Sequence, residues 1–100
     1  MIHAKEARKM TQQRLDIMRA NAEACAESEL EFIEQHILNA IEEGNDTITY
    51  SWSQALLDEW EVPADLFARA MVDILRDQFD YQVDGYFPHQ EWAITIKISW

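Results

Sequence analysis

Glycine and proline are scarce, with two of each in 100 residues. Disordered and low-complexity chains are enriched in both, so their scarcity argues for a folded chain, of one-domain length. Gly44 and Gly85 stand alone. A loop that cradles phosphate needs clustered glycines at a strand–helix junction, which excludes that chemistry. A single cysteine, Cys25, rules out an internal disulfide framework. In its Ala-rich helical stretch it reads as a small apolar residue suited to a reducing compartment. No apolar run approaches the roughly 20 residues of a membrane span. Lys5, Glu6, Arg8 and Lys9 interrupt the start where a secretory leader needs its apolar core. The expected location is cytoplasmic.

Positive charge is also scarce: 8 Lys and Arg against 19 Asp and Glu, a formal net charge of −11. The few cations are unevenly placed. Residues 1–19 hold Lys5, Arg8, Lys9, Arg14 and Arg19 against only Glu6 and Asp16. Everything after them carries Arg69, Arg76 and Lys97 against the remaining acids. A basic segment thus precedes a strongly acidic body. The body repels nucleic acid phosphates, which disfavours direct DNA binding. The segment suits an anion, or the acidic body of a neighbouring copy.

What is present in quantity is apolar residues, at 48%, in two different periods. From Ala4 to Glu43 neither Gly nor Pro occurs. Ala7, Thr11, Leu15, Met18, Ala22, Cys25, Ile33, His36 and Ala40 recur at helical spacing, with Leu30, Ile37 and Ile41 as a second edge. Glu29 falls on this stripe, which suggests a break near residues 27–29. The expected division is therefore a helical segment over 1–28, serving oligomerisation or partner contact, and a compact α+β domain over 29–100. Gly44-Asn45-Asp46 stops the helix. Thr47–Tyr50 reads as a short strand, and Ser51 with Gln54 fits a capping box for a helix through Trp60. Pro63 suits the first position of another helix, running to Phe79. Trp92, Ile94, Ile96, Ile98 and Trp100 then alternate with small and polar residues, as a half-buried strand does. Its antiparallel partner holds Tyr81, Val83, Tyr86 and Phe87. The turn lies either at Asp84-Gly85 or at Pro88-His89-Gln90, the second leaving the last strand a long partner.

The order helix, short strand, helix, helix, strand, strand resembles a winged-helix domain over roughly residues 30–100, with the hairpin as wing and Pro63–Phe79 in the recognition-helix slot. That slot carries Asp65, Asp73 and Asp77 against Arg69 and Arg76, where a DNA reader needs a basic excess. A second resemblance is to small phage-encoded accessory proteins. It rests on Lys5-Glu6-Ala7-Arg8-Lys9-Met10-Thr11, on Ile37-Leu38-Asn39-Ala40-Ile41-Glu42-Glu43-Gly44, and on the closing Ile96-Lys97-Ile98-Ser99-Trp100. This resemblance implies a short protein made during infection that binds a host enzyme, mimics DNA or sequesters a defence signal. It supplies no catalytic residue.

Catalytic chemistry finds no assembled motif in the sequence. His3, His36, His89 and Cys25 lack metal-ligand spacing, so neither a metal nor another cofactor is expected. His36 reads as a hydrogen-bonded, partly buried residue of the helix stripe. Ser51, Ser53 and Ser99 are explained as cap and strand residues, and nothing near Cys25 activates its thiol. Two surface features remain. Glu23, Glu27, Glu31 and Glu34 line one side of the long helix; such a row is ordinarily a solubilising face, and alternatively a phosphate-backbone mimic or a dock for a basic host protein. Lys5, Arg8 and Lys9 are ordinarily a soluble helix start. Gathered from several copies, they and a stacking Trp52 would suit a nucleotide or cyclic dinucleotide. The sequence thus points to a non-catalytic accessory protein that inhibits or diverts a host defence factor by stoichiometric binding, as a homo-oligomer built through residues 5–30. A nucleotide sponge is the alternative, followed by a winged-helix regulator or DNA mimic.

Overall fold

The computed structural model describes residues 1–89 and 92–100, and side chains for residues 1–84 and 92–100. The fold is α+β. Helix α1 spans Ala4–Glu42 and leads into strand β1 (Thr47–Ser53). Two helices follow, α2 (Gln54–Glu59) and α3 (Ala64–Asp73), and α3 runs directly into a π-helical turn over Ile74–Gln78. Strands β2 (Gln82–His89) and β3 (Trp92–Ser99) close the chain. The element order is the expected one.

Helix α1 passes through residues 27–29 without interruption. Glu29 does not break it because the carboxylate has a partner: the Trp52 indole N–H donates to Glu29 Oε1 at 3.1 Å. A buried acceptor that is hydrogen-bonded escapes most of the penalty that would otherwise distort the helix. The buried side of α1 is Ala22, Ala26, Glu29, Ile33, Ile37 and Ala40. It is rotated from the expected stripe, so that Ala26 and Ile37 face the core where Cys25 and His36 were expected to. His36 is exposed, not partly buried; its Nδ1 lies 2.8 Å from the Phe32 carbonyl oxygen, one turn back, and donates to it. The expected boundary after residue 28 falls inside this unbroken helix, and burial begins already at Ala22. Residues 4–21 form a mostly exposed arm that meets the body at its root, where Arg19 shares a hollow with α3, and the molecule extends 61 × 29 × 20 Å.

Gly44 ends α1. With φ at +82° it supplies the left-handed conformation that lets the Asn45 N–H reach the Ala40 carbonyl and the Gly44 N–H reach that of Ile41. β1 is longer than its β-branched run, continuing to Ser53. Ser51 is consequently a strand residue, its Oγ 3.0 Å from Thr95 Oγ1. The cap of α2 moves two residues on, to Ser53, whose side chain accepts from the Leu56 N–H. Pro63 sits at the N-cap of α3, one place before the expected position, and its carbonyl accepts the Phe67 N–H.

The sheet order is β1-β3-β2, antiparallel throughout. β3 is central, so it is the strand with the cleanest alternation. Ile94, Ile96 and Ile98 point into the core with Trp52, Leu57, Phe67, Met71 and Leu75. The opposite side presents Thr47, Ser51, Thr95 and Ser99, joined by hydroxyl contacts. β2 runs straight through Asp84 and Gly85, with a bulge between Asp84 and Tyr86, so Asp84-Gly85 makes no hairpin turn. Pro88 and His89 belong to the strand, and Gln90 of the expected loop lies outside the described residues. Among the described residues no helix is long and apolar enough to cross a membrane.

Candidate functional site

The four residues proposed for nucleotide stacking are not brought together within one chain. Lys5, Arg8 and Lys9 are exposed on the arm. Trp52 is 2% exposed, and its ring is enclosed by Tyr50 at 4.8 Å and Phe67 at 5.0 Å between centroids. It has no face left for a base, and Lys9 lies roughly 30 Å along the helix from Glu29, the residue that accepts the Trp52 N–H. Trp52 was proposed as a binding residue because tryptophan stacks well; the structure spends the ring on the core and the N–H on Glu29.

Cys25 and Tyr50 flank this buried pair. Burial pushes the Cys25 thiol above its ordinary pKa, and the nearby Glu29 charge pushes it the same way. The Tyr50 phenol is raised by the same two causes in the same order. A thiol held protonated is a poor nucleophile. The cluster is therefore a polar seam that orients α1 on the sheet.

Glu23, Glu27, Glu31 and Glu34 are all exposed along α1, as expected. The structure adds what the sequence could not: two of them meet the third helix. Glu23 and Glu27 share a shallow hollow of about 230 Å³ with Asp73 and Asp77. No group of three or more His, Cys, Asp or Glu among the described residues has the arrangement to hold a metal ion. A second hollow, lined by Arg19, Glu23, Leu66, Arg69, Ala70 and Asp73, mixes charges of both signs.

The most distinctive concavity was not anticipated. An apolar hollow of about 170 Å³ lies between α1 and the π-helical turn, lined by Leu30, Ile33, Glu34, Ile37, Leu75, Phe79 and Tyr81. Ile33, Ile37 and Leu75 are buried and form its floor. Phe79 is 53% exposed on its rim, and Tyr81 stands edge-on to the exposed Trp100 at 6.3 Å. The π-helical turn, which ends the third helix one residue before Phe79, shapes this wall, and the Arg76 guanidinium ties it to β2 by donating to the Val83 carbonyl. Among the described residues Glu34 is the one carboxylate on the rim. The sequence signal was faint: Phe79 at the end of an amphipathic helix reads as core. The hollow holds about six water volumes, room for one apolar side chain.

No family model, curated protein or solved structure matches the chain.

Proposed function

We propose that the chain is a stoichiometric binding protein of the phage accessory kind, which inhibits or diverts a host factor without catalysis. The observation that carries this reading is the apolar hollow between Ile37 and Phe79, open on a body with a large excess of carboxylates. Its fitting occupant is an apolar side chain of a partner protein flanked by lysine or arginine. The hollow desolvates the anchor, which for a Leu- or Phe-sized side chain contributes about 1.5–3 kcal/mol. Glu34, with Glu31 a turn back, steers the flanking cations and raises the association rate. A few buried anchors dominate interfaces of this type.

Phe79 and Glu34 are exposed, so both can be changed without disturbing the core. In co-purification from bacterial lysate followed by titration calorimetry, wild type should bind one host protein at fixed stoichiometry. Phe79→Ser should weaken that complex at least tenfold. Glu34→Lys should slow association and flatten its salt dependence. A complex indifferent to both substitutions would remove the hollow as the site.

A further inference from the structure

The flank of α1 on the side of α3 carries its charge in two blocks at a fixed separation, the acidic one beside Asp73 and Asp77. Lys5 and Lys9 lie one turn apart near the tip of the arm, and Glu23 and Glu27 lie one turn apart where the arm meets the body. Each lysine is 18 residues from its matching glutamate. Eighteen residues make about five full turns and about 27 Å of rise, so all four side chains share one face. All four are exposed. Halfway between them is Asp16, held in place by Gln12 Nε2 at 3.0 Å and faced by Arg19 Nη1 at 4.0 Å.

We propose that this face docks a second copy of the same chain, antiparallel, through a two-fold axis at residue 16. In that arrangement Lys5 lies against Glu27 of the second copy and Lys9 against Glu23 of the second copy. The two-fold repeats both contacts in reverse. An isologous interface requires that kind of self-complementary patch. Asp16 approaches its symmetry mate on the axis, and the Arg19 beside each supplies the compensating cations. Ala20, about 40° around the helix from Asp16, is the small exposed residue bordering the face, and it lies opposite Gln12 of the second copy. The charge pattern selects this occupant over others. A nucleic acid or an anionic bilayer matches the lysines but is repelled by the glutamates. A basic peptide matches the glutamates and is repelled by the lysines. A second copy carries both blocks at the matching separation.

The contact strip ends at residue 28, opposite Ala4 of the second copy, so the hollow between Ile37 and Phe79 stays open. The pairing does not rest on the partner-binding reading. Two helices in contact over about 37 Å bury less than the roughly 1,200 Å² of a stable interface, so the dimer is reversible and salt-sensitive.

Sedimentation velocity on the full chain tests this by charge exchange. Wild type should show concentration-dependent dimer at low ionic strength and monomer at about 1 M salt, where screening reaches about 3 Å. The K5E/K9E and E23K/E27K variants should each associate at least tenfold more weakly. Mixed in equal amounts they should form a heterodimer, because each then offers the charge the other lacks. A wild type that stays monomeric at low salt overturns the proposal, as does a dimer that either charge reversal leaves intact, or a mixture that stays monomeric. All four sites are exposed, so circular dichroism should show every variant folded; the partner titration of the hollow reads out separately.

Discussion

The two halves of α1 share one unbroken run of hydrogen bonds and almost nothing else. From Ala22 onward the helix is held by burial: Ala22, Ala26, Ile33 and Ile37 lie against the core. Before Ala22 every residue but Ala7, Leu15 and Met18 is exposed. The arm also starts badly, since His3 makes no side-chain cap and Lys5, Arg8 and Lys9 oppose the positive end of the helix dipole. It persists because the packed half has already met the cost of nucleation, leaving only propagation through residues of good helix propensity. Tertiary contact decides where the helix is stable; local propensity decides how far past the contact it extends.

The largest effect that would break this contrast is a cavity in the packed half set against the same kind of truncation in the arm. Ile33→Ala should lower stability by about 2–5 kcal/mol, whereas Ile17→Ala should stay within about 0.5 kcal/mol. Urea denaturation gives both numbers. Hydrogen exchange should show the same division, with arm amides exchanging by local fraying and those after Ala26 only on global unfolding. An arm protected as strongly as the body in dilute monomer would contradict this account.

Much of this fold can be read from the chain, for identifiable reasons. The alternation from Trp92 to Trp100 marks a strand because β3 is central and its core-facing residues are all isoleucine. Gly44-Asn45-Asp46 marks the end of α1 because only the backbone conformation at Gly44 is involved, a local property. The rest depends on distant partners. Glu29 on an apolar stripe looks like a break until Trp52, 23 residues away, is seen donating to it. Ser51 and Ser53 are equally good caps by type; pairing of Ser51 with Thr95 across the sheet settles which one serves. The hollow beside Phe79 requires α1 and the π-helical turn to be placed relative to each other, and no short-range pattern encodes that. Even the acidic row, legible residue by residue, gave no sign that Glu34 alone borders an apolar surface.

Next in size is the Glu29–Trp52 pair, a buried polar tie inside the packed half. Trp52→Phe leaves the carboxylate at Glu29 (8% exposed) without its donor, at a cost of about 1–3 kcal/mol beyond any packing loss. Glu29→Met in the same background should recover part of that loss, because removing both partners leaves nothing unsatisfied. A double-mutant cycle measures the coupling. Strict additivity would mean that the bond in the structure does not contribute.

Cys25 and Tyr50 sharpen the comparison through pH. Both are raised by burial first and by Glu29 second. The folded chain therefore holds these protons to higher pH than the unfolded one. Their contribution to stability is whole below the ordinary thiol and phenol values of about 8.5 and 10, and is lost as pH rises through the raised ones. Urea midpoints measured upward from pH 7 should fall in that alkaline window. Glu29→Gln should lessen the fall without abolishing it, since burial remains. Thiol alkylation at pH 8 should be slower in the folded chain than in urea. A stability that is flat across the window would show that neither group is perturbed.

The smallest expected effect concerns how the helices end. α1 and α2 close with the same pair of hydrogen bonds: Glu61 N–H to the Asp58 carbonyl and Val62 N–H to the Leu57 carbonyl repeat the pattern at Gly44 and Asn45. One uses glycine at φ +82°, the other glutamate at φ +56°. A side chain in that region costs roughly 1–2 kcal/mol, and part of it is recovered because glycine loses more freedom on folding. Glu61→Gly should therefore stabilise by at most about 1 kcal/mol, and Gly44→Ala should destabilise by a similar amount. A Cβ at Gly44 would meet nothing within 4 Å, so any loss there is backbone strain alone. Val62, buried beside Leu57, anchors the second end by apolar contact and explains how α2 tolerates a glutamate where α1, ending at the exposed Asn45, carries a glycine. Combining Glu61→Gly with Val62→Ala tests that explanation: the gain from glycine should persist while the contact is lost, giving additive changes in the urea midpoint.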